Sequence, residues 1–259
     1  MKRPGLAIVF AAGLSLAALP SIARAEDDDP TAWHVTLTPY VWAAGIYGDV
    51  TVRGLNSEVS ASFLDVLEET DTLVGLAGRL EVTRGRLGAF GDVFYVQTKV
   101  DGAGSTQLDV TTRMYFVEFG GQFRLLDTRA ERVPGFTVDV YGGGRYSSLE
   151  LELDTRGAPS TTQEQDWVDP IVGGRLGVHF SEHVFLLFAG DVGGFGVGSD
   201  FAWSVTGLFG YRWQAAGLDW AVLAGYKALG QDYETGSGVR RFRWDTTMHG
   251  PVLGLSVRF

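Results

Sequence analysis

An all-β transmembrane fold, an antiparallel up-and-down β-barrel of about ten strands, is specified by three features of this chain. Apolar and polar residues alternate over runs of a dozen residues or more, where strands of soluble sheets average about 5–6. Aromatic residues open and close the apolar face of several runs, as in Phe201, Trp203, Val205, Phe209, Tyr211 and Trp213. Glycine supplies 36 of 259 residues, about twice its usual share of about 7%, as expected where strands crowd a narrow interior.

The first residues read as an address. Lys2 and Arg3 precede an apolar stretch from Leu6 to Leu19, Pro20 breaks it, and Ala23-Arg24-Ala25 is a small-x-small cleavage site. This predicts a Sec signal peptide over 1–25, an acidic periplasmic leader over 26–31 (EDDDPT) and a barrel over 32–259. Cleavage leaves 234 residues with 18 basic and 31 acidic side chains, a net charge of −13. Beyond the signal no stretch of about 20 apolar residues exists, so any crossing of a membrane is by strands.

The strands follow in order. Residues 32–53 open the barrel, with Trp33, Val35, Leu37 and Val41 on one face and His34, Thr36 and Thr38 on the other. Runs 72–84, 87–100, 106–124 and 136–153 follow, with less regular alternation in 87–100 and 136–153, where a bulge is expected. In 167–180, Pro170, Val172, Gly174, Leu176, Val178 and Phe180 alternate with Asp169, Gly173, Arg175, Gly177 and His179. Runs 184–195, 201–213, 218–230 and 246–259 complete ten. Turns at 84–86, 125–135, 181–183 and 214–217 belong to the periplasmic end, and 54–71, 101–105, 154–166, 196–200 and 231–245 to the outer end. Both termini are then periplasmic.

The first outer connection is more than a loop. Residues 46–54 and 57–63 predict a hairpin about Gly54-Leu55-Asn56; as two membrane strands they would raise the count to twelve. Ser62 to Thr70 predicts a short helix with Ser62 as N-cap, Asp65 three residues on, and Phe63, Val66 and Leu67 as its apolar face. Such a helix plugs the lumen, caps the mouth or is a plain surface feature.

The face opposite the lipid carries the charge. Arg79, Glu81, Asp92, Glu118, Arg124, Asp139, Arg145, Asp169, Arg175, Asp191, Arg212, Asp219 and Lys227 fall on it. Of these, Arg79, Glu81, Asp92, Glu118, Asp139, Arg145, Asp169, Arg175, Asp191 and Arg212 are the candidates for lining the lumen and setting selectivity. Unpaired charges in a narrow lumen are costly, so the set forms either a salt-bridged core or a narrow polar conduit. The last strand, HGPVLGLSVRF, puts Leu253, Leu255, Val257 and the terminal Phe259 on one face. Leu255, Val257 and Phe259 match the bacterial outer-membrane assembly signal, which predicts the barrel-assembly machinery as a partner and the outer membrane as the destination.

Several stretches together resemble a family of uncharacterised, porin-like proteobacterial outer-membrane barrels. They are Thr38-Pro39-Tyr40-Val41-Trp42, FLDVLEETD, Gly91-Asp92-Val93-Phe94-Tyr95, Asp169-Pro170-Ile171-Val172-Gly173, GDVGGFGVGSD at 190–200 and HGPVLGL. The resemblance spans nearly the whole chain after the signal. It implies fold and location but no activity.

Other chemistries find little support. The absence of Cys excludes disulfides and thiolate metal sites. A pI near 4.8 argues against nucleic acid as a partner. GDVGGFGVG lies between two strands rather than before a helix, so it is no dinucleotide loop. Of four histidines only His249 lies toward the outer rim, where Asp245 and Asp232 are its nearest acids in sequence. Ser256, about seven residues or ~23 Å along the same strand, is too far to act with it. No catalytic set, metal site or cofactor is assigned. The acids Glu68, Glu69, Asp71, Glu150, Glu152, Asp154, Glu164 and Asp166 are suited to divalent cations that bridge lipopolysaccharide. The expectation is a monomeric integral outer-membrane protein in contact with lipid and lipopolysaccharide, either a narrow porin-like channel or a structural protein. The alternatives are a protease or lipid-modifying enzyme, or a surface-binding protein using loops 54–71, 154–166 and 231–245.

Overall fold

The computed structural model describes residues 7–10, 32–52, 54–69, 72–103, 108–155 and 160–259. The leader 26–31 and most of the signal segment lie outside them. Thirteen strands are formed among the described residues: β1 (Ala7–Phe10), β2 (Trp33–Trp42), β3 (Gly45–Val52), β4 (Leu55–Ala61), β5 (Thr72–Arg84), β6 (Leu87–Ala103), β7 (Leu108–Asp127), β8 (Gly135–Thr155), β9 (Thr161–His179), β10 (Val184–Gly193), β11 (Phe201–Ala215), β12 (Leu218–Thr235) and β13 (Phe242–Arg258). One helix, α1 (Phe63–Glu69), joins β4 to β5.

Ten strands make the closed wall. β2 and β3 are one wall strand, for they hold a single register along β13 from Thr36↔Arg258 to Thr51↔Arg243. The Ala43 N–H donates to the Pro251 carbonyl at 2.9 Å across the short break between them. β5 to β13 then follow as antiparallel neighbours, and β2 pairs with β5 from Trp33↔Arg84 to Pro39↔Gly78 to close the ring. β4 is an added strand paired to β3, so the twelve-stranded alternative is not realised. The hairpin turns at Gly54, whose φ of +76° suits glycine. The expected bulges also sit elsewhere: the register shifts lie between Val100 and Ala103 at the far end of β6, and between Arg124 and Leu126 in β7.

The two ends of the barrel differ. The base holds Trp33, Phe259 and the tight turns; the Phe259 N–H donates to the Val35 carbonyl there at 2.9 Å. At the opposite end, the rim, strands outrun the sequence expectation. β9 begins at Thr161 rather than 167, β12 continues to Thr235 and β13 begins at Phe242. β10 and β11 stop short, leaving a low saddle where β9 pairs with β10 only as far as Ile171↔Gly193.

The outer surface is apolar. Leu76, Leu80, Phe119, Val172, Phe188 and Leu253 are among the large side chains it exposes. Trp33, Phe180 and Tyr211 ring it near the base. Toward the rim Tyr95 packs on Tyr115 at 4.5 Å, and Tyr47 stacks on His249 at 4.7 Å. This is the predicted lipid band between aromatic girdles.

The predicted helix forms, with the predicted cap. The Asp65 N–H donates to Ser62 Oγ at 3.2 Å and the Ser62 N–H donates to the Asp65 carboxylate at 2.8 Å, a reciprocal capping box. Those bonds hold the Asp65 carboxyl below its ordinary range. The helix lies against β3 and β4. Leu64 faces solvent, and the side chain of Leu67 lies outside the described residues.

Candidate lumenal site

The lumen is built in two layers. The layer toward the base is ionic. Arg145 on β8 is wholly buried; its Nε donates to Glu118 of β7 at 2.9 Å and its Nη2 to Asp191 of β10 at 2.8 Å. Tyr141 and Ser204 donate their hydroxyls to the other oxygen of Asp191. Arg175 of β9 reaches Glu81 of β5 at 2.6 Å, Asp139 of β8 at 3.0 Å and Gln122 of β7 at 2.9 Å. Arg124 adds a second bond to Asp139 at 2.6 Å. Arg79 pairs with Glu81 at 2.9 Å and stands 3.7 Å from Asp92, which accepts from the Tyr40 hydroxyl at 2.7 Å.

Asp169 is the exception in this layer. It is fully buried, and polar donors rather than an arginine satisfy it. The Ser199 backbone N–H and hydroxyl donate to it at 2.6 and 2.9 Å, the Trp167 indole at 3.2 Å and the Gln231 amide at 3.1 Å. Ser199 comes from the β10–β11 connection, which dips into the saddle. Of the ten predicted lumen residues, nine gather in this layer. Arg212 stands apart near the base, its guanidinium 5.0 Å over the Phe185 ring.

The layer toward the rim is apolar, and the sequence reading missed it. Trp42, Phe94, Phe116, Leu229 and Met248 pack together just above the ions. Trp42 meets Phe94 edge-on at 5.1 Å, and Phe94 stacks with Phe116 at 6.1 Å. Higher still, Leu149, Trp167 and Trp244 form a second cluster. Trp167 of β9 stacks on Tyr233 of β12 at 4.2 Å, and Gln231 donates to Ser147 at 2.8 Å, so the tall walls lean together over the saddle. Parity carried upward from charged residues finds these side chains: Asp92 inward puts Phe94 and Val96 inward, and Asp169 inward puts Trp167 inward.

Above the aromatic floor lies a cavity of about 830 Å³, within the usual range of small-molecule sites. Its walls are Trp42, Ile46, Val50, Leu73, Phe94, Met114, Leu149 and Trp244. Phe63 and Val66 of α1 also line it, so the helix contributes to the lining of the cavity. Toward the rim the lining is mixed: Thr98, Thr112, Gln163, Gln165, Arg240 and Arg241 stand beside Val52, Val59, Val239 and Phe242.

The rim candidates for catalysis do not meet. His249 faces outward and its Nδ1 lies 2.6 Å from the Tyr226 hydroxyl, whereas Asp245 is bonded to Arg243 at 2.7 Å. Glu150 and Glu152, expected to attract cations, are both held by Arg113.

No family model matches this chain, and no curated protein matches it in sequence. Among solved structures it is similar to Ail, the attachment invasion locus protein of Yersinia pestis, solved with the heparin analogue sucrose octasulfate. Identity is 12%, the TM-score 0.41, and the match covers 88% of this chain and 98% of that one. It is also similar to a Pseudomonas aeruginosa FadL homologue (11%, TM-score 0.27, covering 88% and 90%) and to the CymD monoaromatic hydrocarbon channel (9%, TM-score 0.24, covering 89% and 90%). These are outer-membrane β-barrels, and the likeness is one of general architecture.

Proposed function

We propose that this chain is an exported outer-membrane barrel that takes up a small apolar molecule in the rim half of its lumen. The layering of the lumen carries this reading. The ionic layer is bonded across the full width of the barrel, so the porin-like conduit of the sequence reading narrows to a closed base beneath an open apolar cavity. The base faces the periplasm, as the short turns and the position of Phe259 suggest, and the rim faces outward. Removal of residues 1–25 by a signal peptidase is part of this reading, and intact mass of the membrane-purified protein checks it.

The cavity suits an uncharged hydrocarbon or the alkyl part of an amphiphile. Its floor and walls offer aromatic and aliphatic surface, and the amide and hydroxyl groups near the rim can hold one polar end. The test is titration of the folded barrel in detergent with the fluorophore N-phenyl-1-naphthylamine. Saturable enhancement is expected, with weaker affinity in Met114→Trp, whose larger side chain narrows the cavity. Absence of saturable binding overturns the reading.

A further inference from the structure

The wall of the barrel is not sealed at the height of the cavity. The ladder between β2 and β5 stops at Pro39↔Gly78, where Pro39 has no N–H to extend it. Above that point the β2–β3 strand stays on β13, from Tyr40↔Gly254 through Gly45↔His249, and leaves β5. β4 gives no cover, because it pairs with β3 and ends at Ala61 opposite Ile46. A window remains between residues 41–45 and residues 72–77, about five residues or ~16 Å tall. Its roof is α1.

The cavity reaches this window. Among its lining residues are Val41, Leu76 and Tyr95, which belong to the outward-facing parity of their strands. Val41 and Leu76 are 40% and 50% exposed on the lipid face. Tyr95 belongs to the girdle toward the rim, which places the window at the outer leaflet. Unpaired backbone at membrane depth is costly and persists where it lines a cavity. At this height the free edge of β5 pairs instead with β1, in parallel, from Ala7↔Thr72 to Phe10↔Gly75. β1 belongs to the predicted signal segment, whose removal is part of the function proposed above and would leave this edge of β5 unpaired.

We infer that the window between β2–β3 and β5 is a lateral port through which an alkyl chain passes between the outer leaflet and the cavity. The inference rests on the cavity reading above and adds the route. The occupant is a flexible apolar chain, because the port is tall and narrow and apolar side chains, Val41 and Leu76, flank it.

The chain has no cysteine, so a port can be bridged cleanly. Ala44→Cys/Gly75→Cys is folded, reconstituted into dioleoyl phosphatidylcholine vesicles and joined with a bis-maleimide, the bridge being verified by mass. Two probes are photolysed in turn: a phosphatidylcholine with a diazirine on one acyl chain, resident in the bilayer, and a diazirine fatty acid added from water. Adducts are mapped by mass spectrometry, with Leu253 on the lipid face as the internal reference. Both probes are expected to label Trp42, Phe94 or Met114 in the unbridged protein. Bridging is expected to cut the lipid-borne label there at least fivefold and to spare the water-delivered one. If the water-delivered probe labels the cavity while the lipid-borne probe does not, or is indifferent to the bridge, the port is overturned and the cavity reading stands. If neither probe labels the cavity, the cavity reading falls and the port with it.

Discussion

Arg175 of β9 and Glu81 of β5 meet across the lumen, four strands apart around the wall, with 2.6 Å between guanidinium and carboxylate. Wall ladders join only neighbours, so this bond ties opposite sides of the barrel together. Glu81→Leu is expected to cost about 3–5 kcal/mol, because the arginine is left without one of its buried partners. Arg175→Met added to Glu81→Leu should recover much of that. Urea unfolding of the reconstituted barrel, followed by tryptophan fluorescence, reads both values; a Glu81→Leu barrel as stable as wild type would show that the bridge holds nothing.

Arg145 gives a separate handle on the ionic layer. It bridges Glu118 and Asp191 with no exposed surface. Wild type is expected to pass almost no current in a planar bilayer, and Arg145→Ala to raise conductance with cation preference, since both acids lose their partner. Large steps from the wild-type barrel would mean that ions pass between the pairs.

Phe259 combines two roles that one substitution separates. Its backbone exchanges hydrogen bonds with Val35, while its ring completes the predicted assembly signal. Phe259→Ala keeps the backbone bonds. Refolding from urea into detergent should therefore match wild type, while the amount reaching the outer membrane of cells falls severalfold. Equal losses in both assays would make the residue purely structural.

Gly143 is a point of close strand approach. A Cβ there would lie 1.9 Å from the Phe119 carbonyl oxygen of the neighbouring strand. Gly143→Ala is expected to destabilise the barrel by about 1–3 kcal/mol, the usual cost of overpacking. The shift in urea midpoint measures it, and Gly91→Ala, where a Cβ meets no atom within 4 Å, is the control.

How far the sequence could be read depended on contrast between the two faces. Ten wall strands, the β3–β4 hairpin and the capped helix were legible because charge or small residues opposed apolar ones. At Val93-Phe94-Tyr95-Val96 both faces are apolar, and alternation alone does not say which side is lumen. Thr161 to Asp166 failed for the opposite reason: TTQEQD is polar on both faces, so the rim extension of β9 read as loop. The ionic residues were legible one by one, but not their partners. The Arg175–Glu81 bond joins residues 94 apart in sequence, which only barrel closure brings together. The port was invisible for a related reason, since residues 40–45 and 72–77 read as ordinary strand and only the missing ladder between them marks it.

The division of the lumen has an evolutionary consequence. Bonds that hold the cylinder together are concentrated near the base, whereas the surface that would meet a guest lies near the rim and shares few residues with them. Substitutions at Met114, Leu149 or Val50 can therefore change the size and shape of an accepted molecule without loosening the cylinder. Descendants of such a barrel are free to diversify in what they admit while inheriting the same ionic girder, and the pattern to look for among them is a fixed set of charges beneath a varied set of apolar side chains.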